Sequence, residues 1–233
     1  MLHPWLWWAR LRRRALLPFR RLGPLEPLID ELAPGSSFVD VGAMWAVNGR
    51  VAFRAEEKGA TTVTALDVSA PTDEYNDVHR RRGSNVRFVH GDLHDARVRT
   101  EAGPHDVVWC SGVLYHCPDP VHTLRCLREI TKQTLVLISA TIPEMPGRSA
   151  PAVFFPGLGE SERRAYDRAF TATSGIRTPR LGLTTPFDHE QHYGNWWWGL
   201  TPSAISAMLE HAGFEVTRTV GDGFHTRFIA RAI

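Results

Sequence analysis

Five short apolar runs constrain the fold of this 233-residue chain more than any other feature. They are FVDV from Phe38, TVTALDV from Thr62, VRFVH from Val86, HDVVWCS from His105 and TLVLISA from Thr134. Runs this short, with apolar residues on both faces, read as strands buried on both sides. Helix-length segments separate them. Asn48 is placed to cap a helix from Gly49 to Lys58, with Gly59 at its end. Residues 73–82 read as a polar helix. PDPVHTLRCLREITK reads as another, with Val121, Leu124, Leu127 and Ile130 on one face. Strands separated by helices imply parallel pairing through right-handed crossovers. The rhythm breaks over 141–200, which is rich in Pro, Gly and aromatics, with one helical piece from Ser161 to Phe170. It returns at Thr201, an N-cap followed by Pro202, and closes with two strands around Gly221 and Gly223. The expected fold is α/β: a mostly parallel, seven-stranded, Rossmann-like sheet with an antiparallel edge strand and a lid insertion after strand five.

Composition narrows the partners. The chain is 43% hydrophobic and 22% charged, with a net charge of only +2, so it is not a strongly basic nucleic-acid binder as a whole. Basic charge is local: Arg10, Arg12, Arg13, Arg14, Arg20 and Arg21 precede the first acid, Glu26. Among interleaved tryptophans, this segment reads as a pocket cap, an RNA-contacting arm or an interfacial helix. Three cysteines without metal-type pairing suit a reduced, cytoplasmic protein. No apolar run is long enough to span a bilayer, and the N-terminus lacks the order of a secretory signal.

The turn after the first strand narrows the ligand. A dinucleotide loop needs glycines so that backbone amides approach a pyrophosphate. Here FVDVGAMWAVNGR carries Met44, Trp45 and Ala46 instead, and there is no P-loop. Asp40 would repel a phosphate but suits an ammonium group. S-adenosylmethionine carries an ammonium and a sulfonium and has no phosphate. Two further acids sit at strand ends: Asp67, placed to accept from ribose hydroxyls, and Asp92, placed to accept from an adenine amine.

The motifs FVDVGAMWAVNG, VTALDVS, VRFVHGDLHD and HDVVWCSGVLYHCPDP resemble those of class I S-adenosylmethionine-dependent methyltransferases. The likeness covers roughly residues 37–140, and the closing helix and hairpin extend it. GVLYHCPDPVHTLRCLREI and NWWWGLTPSAISAMLEHAGFEV are similar to a narrower group that includes the bacterial tRNA wobble-uridine carboxymethyltransferase. One departure stands out: the second loop glycine comes only at Gly49, after MWAVN. The resemblance implies S-adenosyl-L-methionine as cofactor and a contact set of Asp40, Gly42, Ala43, Gly49, Asp67, Val68, Asp92, Leu93, Ser111 and Gly112. It also divides the chain into an N-terminal helical cap (1–30), a cofactor-binding core (31–140), a lid or substrate insertion (141–200) and a C-terminal helix and hairpin (201–233).

Methyl transfer needs an aligned acceptor, exclusion of water and often loss of a proton. Tyr115 and His116 follow the fourth strand, and His116 is the leading candidate base, because a free imidazole titrates near pH ~6.5. The bland alternative for His116 is a turn histidine bonded to backbone. His192 is a second acid/base candidate. DHEQHYG is not the metalloprotease H-E-x-x-H pattern, and no metal is expected. Tyr115, Tyr193, Trp196 and Trp198 are expected to wall the acceptor. In an extended chain Trp196 and Trp198 would share one side and Trp197 the other. The three cysteines read as packing residues. The expected reaction is methyl transfer to an O or N atom of a small molecule; the alternative is methyl or carboxymethyl transfer to a tRNA wobble uridine.

Overall fold

Local sequence signals place most elements of the computed structural model, which describes residues 24–45, 47–174, 187–221 and 223–233. Most of the expected 1–30 cap, with its Trp and Arg cluster, lies outside the described residues. Its described end is helix α1, Glu26–Leu32, which buries Leu28 and Ile29. Strand β1 (Ser37–Val41) follows, then helix α2 (Arg50–Glu57) and strand β2 (Thr62–Asp67). Helix α3 (Asp73–Arg82) begins at Thr72, whose side chain accepts from the Tyr75 N–H. Acids in its first turn and bases in its last complement the helix dipole. Strand β3 (Arg87–His90) leads into a short helix α4 (Ala96–Ala102), which the sequence reading did not include. Strand β4 (His105–Ser111) precedes helix α5 (Pro120–Glu129), capped by Asp119, and strand β5 (Thr131–Ala140).

The 141–200 segment builds strand β6 (Ala152–Phe154), helix α6 (Glu160–Ser174) and strand β7 (Trp198–Leu200). Strands β6 and β7 pair as a separate antiparallel sheet. Helix α7 (Pro202–His211) starts as expected, with the Thr201 side chain accepting from the Ala204 N–H. Strands β8 (Phe214–Gly221) and β9 (His225–Ala232) form the closing hairpin.

The main sheet has seven strands in the order β3-β2-β1-β4-β5-β9-β8. The first five are parallel, and β9 runs antiparallel between β5 and β8 at that side of the sheet. Alternation along the strands divides the core into two layers. Val39 of β1, Val108 of β4 and Leu135 of β5 stand in register and pack with α5 and α7. Phe38, Val107 and Val136 face the other way, onto α1, α2 and α3. Asp40 shares the Phe38 side, so its carboxyl points at the start of α2 rather than into the layer of Val39.

Two sequence expectations need correction. Asn48 does not cap α2: Gly49 holds that position at φ 74° with no side-chain cap, and Asn48 itself sits at φ 46°. Asn48 bridges forward instead, accepting from the Thr72 hydroxyl (3.0 Å) and donating to Glu74 (2.6 Å). The three tryptophans do not alternate either, because only Trp198 lies in a strand. Trp196 is buried with Tyr115, Phe155 and Phe170 in a cluster under the insertion. Trp197 meets Phe154 and Phe187, and Trp198 also meets Phe154.

Candidate active site

The carboxyl ends of β1 to β4 lie side by side, so the loops that follow them share one crevice edge. Gly42 begins the first loop at φ 82°, a conformation that L side chains rarely adopt. A Cβ there would stand 2.5 Å from Val113 Cγ2 in the loop after β4, so glycine lets these two loops close on each other. The Gly42 N–H donates to Leu66 O (2.9 Å), and Gly49 N–H returns to Ala43 O (2.7 Å), so the loop folds back on itself. This geometry explains the bulk at 44 and 45. Met44 is turned into the core and is 1% exposed, whereas Trp45 projects outward and is 55% exposed. The Met44 N–H donates to Asp67 Oδ2 (2.7 Å), pinning the loop to the end of β2.

The three acids differ in environment. Asp40 is buried; one carboxylate oxygen has no partner, and the Ala52 N–H bonds the carboxyl. Burial raises its pKa to about 7, with the Asp67 charge adding to the rise and the Ala52 bond opposing it. Asp67 accepts from Met44 N–H on one oxygen and from Ser69 N–H (2.7 Å) on the other. Each oxygen retains a second lone pair for a further donor. Asp92 accepts from the His94 N–H (2.8 Å) and from the Tyr193 hydroxyl (2.7 Å). Val68 is exposed beside Asp67, and Leu93 is buried beside Asp92. Gly112, at φ 78°, follows Ser111 at the end of β4, and a Cβ on it would stand 3.7 Å from the Tyr115 hydroxyl.

The short turn after β4 brings Tyr115 and His116 against the insertion. Ring centroids separate Tyr115 from His116 by 4.2 Å and from Trp196 by 4.4 Å. The His116 Nδ1–H donates to Asn195 O (2.8 Å), which fixes the tautomer and leaves a lone pair on Nε2. That Nε2 is buried and has no partner. Burial lowers the His116 pKa to about 4, against the opposing effect of the Asn195 bond. Trp45 meets this ring edge-on at 5.3 Å. Burial also drives the Tyr115 phenol above its ordinary range and pushes the Cys117 thiol up to about 12. Neither is an anion near neutral pH, and Cys117 and Cys110 are buried as core residues.

Other expected site residues go elsewhere. Tyr193 turns to Asp92 and His94, on the β3 side, and not to the Tyr115–Trp196 cluster. The His192 side chain is exposed, and its backbone carbonyl accepts from Asn195 and from the Trp197 indole. The Trp198 indole donates to Pro118 O (2.9 Å), so this ring braces the turn before α5. Sequence reasoning missed Asn195, His94 and the placement of Trp45. Asn195 and His116 are 79 residues apart, and no local pattern announces such a contact.

Residues 39–138 match the sequence model of a family described as a methyltransferase domain. The crystal structure of the N-terminal domain of EvdMO1, with SAH bound, superposes with a TM-score of 0.58 at 17% identity, over 89% of this chain and 79% of that one. This is a class I methyltransferase fold. The 1,6-didemethyltoxoflavin-N1-methyltransferase of Burkholderia thailandensis is also similar, with a TM-score of 0.57 at 16% identity, over 98% of this chain and 85% of that one. Among curated proteins, the ubiquinone biosynthesis O-methyltransferase of Vibrio parahaemolyticus is 28% identical over 99 residues. That match spans 42% of this chain and 40% of the relative's length. The matched segment holds Asp40, Asp67, Asp92, Trp45 and the Tyr115–His116 turn, while Tyr193, Asn195 and Trp196, Trp197 and Trp198 lie beyond it. No described helix is long and apolar enough to cross a membrane.

Proposed function

We propose that this chain is an S-adenosylmethionine-dependent methyltransferase acting on an oxygen or nitrogen of a small molecule. One observation carries the reading: three carboxylates lie at or next to the carboxyl ends of consecutive strands, and the first keeps a buried, unpartnered oxygen facing the start of α2. Buried polar atoms normally have partners, and an unpaired one beside a crevice calls for a donor from a ligand. An α-ammonium group supplies that donor to Asp40. Asp67 serves the ribose hydroxyls and Asp92 the adenine end. Gly42, Ala43, Gly49, Val68, Leu93, Ser111 and Gly112 complete the cofactor contacts.

The cofactor supplies a methyl carbon activated by its sulfonium. An acceptor atom that took this methyl group would have to lose its proton. His116 Nε2 is the proton acceptor in this reading: its other nitrogen is fixed by Asn195, and it is neutral near pH 7. Tyr115, Trp196 and Trp45 surround it and exclude water. The 141–200 insertion acts as the acceptor lid. The relatives support a small acceptor, since one is named for ubiquinone biosynthesis and another was crystallised with 1,6-didemethyltoxoflavin.

Heating the protein with S-adenosylmethionine, S-adenosylhomocysteine or NAD tests the reading. Saturation at about 100 times Kd adds about 2.7 kcal/mol, a rise in Tm of roughly 5–10 °C for a domain of this size. The first two ligands are expected to give it and NAD none, and Asp67→Ala is expected to abolish it. A shift with NAD alone overturns the proposal. The narrower tRNA reading rests on Tyr115 within GVLYHCPDP. It requires tRNA binding that weakens steeply with salt, and a small-molecule enzyme shows none.

A further inference from the structure

Tyr193 lies in the insertion, yet its hydroxyl reaches 101 residues back in sequence to Asp92. It does not reach alone. His94 Nδ1 lies 2.8 Å from the Tyr193 oxygen, and His94 Nε2 lies 2.9 Å from Thr123 Oγ1 on α5. Burial lowers the His94 pKa, so the ring is neutral near pH 7. A neutral ring has one N–H and one lone pair. The Tyr193 proton goes to the Asp92 carboxylate, so the Tyr193 oxygen accepts from His94 Nδ1–H. Thr123 Oγ1 lies between His94 Nε2 and Asp119 O (2.9 Å), and its single proton serves only one of them. Three elements are thereby tied by one run of hydrogen-bonded groups that ends on a carboxylate: the loop after β3, helix α5 and the insertion. The tie is charge-assisted at its Asp92 end, where hydrogen bonds are strongest.

The same insertion is fastened a second time at β4. Trp197 N–H donates to Tyr115 O (2.9 Å), and His116 donates to Asn195 O. Residues 192–198 therefore run from the third acid to the candidate base, along the line that the adenosyl and sulfonium ends of the cofactor occupy in the proposed function. The second fastening is the more buried: Tyr115, His116 and Asn195 are buried, and Trp197 is half-buried. Tyr193 is only partly buried, and its tie depends on one hydroxyl.

We propose that Tyr193 is a strap residue that gates cofactor exchange: its bond to Asp92, held by His94, must open for the adenosyl group to enter or leave. This rests on the cofactor reading above and goes beyond it, because it makes the insertion part of the cofactor site as well as the acceptor site. A gate slows entry and exit alike. It thus differs from a direct contact, which slows exit alone and tightens Kd.

Stopped-flow tryptophan fluorescence with S-adenosylhomocysteine separates the two. In Tyr193→Phe, the association and dissociation rates are both expected to rise about tenfold, with Kd within about threefold of wild type, as loss of a hydrogen bond to a charged group implies. His94→Ala is expected to move both rates in the same direction. The double variant is expected to be no faster than Tyr193→Phe, because both residues act through one chain of bonds. Unchanged rates in Tyr193→Phe overturn the strap, and so does faster dissociation with unchanged association, which makes Tyr193 a plain contact. Additive effects in the double variant overturn the shared chain. If wild type shows neither fluorescence change nor heat with S-adenosylhomocysteine, the cofactor reading itself falls.

Discussion

Asp40 makes the cofactor reading testable through pH. Its carboxyl is buried and its pKa is raised to about 7, chiefly by burial. An ammonium ligand binds the carboxylate and not the acid. A group of pKa about 7 is roughly one-tenth ionised at pH ~6 and roughly three-quarters ionised at pH ~7.5. Affinity for S-adenosylhomocysteine is therefore expected to rise about eightfold across that interval, or about 1.2 kcal/mol. Binding at pH ~6 should release nearly one proton, which titration calorimetry reads by comparing buffers of different ionisation enthalpy. The apo protein provides an internal check of opposite sign. A carboxyl whose folded pKa is raised binds its proton more tightly when folded, so its contribution is full below pH ~4 and is lost as pH rises through about 7. Asp40→Asn should make the apo protein more stable than wild type at pH ~8 and should remove the pH dependence of binding. An affinity that is flat from pH ~6 to ~7.5, with no proton released, refutes the pairing of Asp40 with an ammonium group.

Three other variants probe the same site. His116→Gln is expected to lower kcat by about 10²–10⁴-fold with little change in S-adenosylhomocysteine Kd. Because its pKa is lowered to about 4, the wild-type pH–rate profile should show no acid limb from His116 above pH ~5. Gly42→Ala forces a Cβ to 2.5 Å from Val113 Cγ2 at φ 82° and should lose about 1–3 kcal/mol in urea unfolding. Val113→Ala should restore part of that loss. Trp45→Ala, at an exposed position, should leave unfolding within about 0.5 kcal/mol of wild type while raising the acceptor KM, since Trp45 covers His116 edge-on.

The sequence by itself determined the sheet and its acids. Runs such as FVDV and TLVLISA place apolar side chains on both faces, and only a strand between two helical layers buries both. Asp40, Asp67 and Asp92 were legible because they sit where those runs stop, a strictly local signal. Caps were legible for the same reason: Thr201 and Pro202 start α7 as their chemistry demands. The Asn48 cap failed because a tertiary partner, the Thr72–Glu74 turn, outbid the helix end for its side chain.

Only the tertiary structure decided what the 141–200 segment touches. Its residues carry no period, and their contacts span tens of residues: Asn195 to His116, Tyr193 to Asp92, Trp198 to Pro118. The pairing of β6 with β7 also joins residues far apart in sequence. The protonation of the site was equally hidden. An imidazole or a carboxyl keeps its ordinary pKa in a chain read as letters, and it is burial that moves His116 down and Asp40 up. Periodicity reports what a residue does to its neighbours in sequence, whereas desolvation depends on everything folded around it.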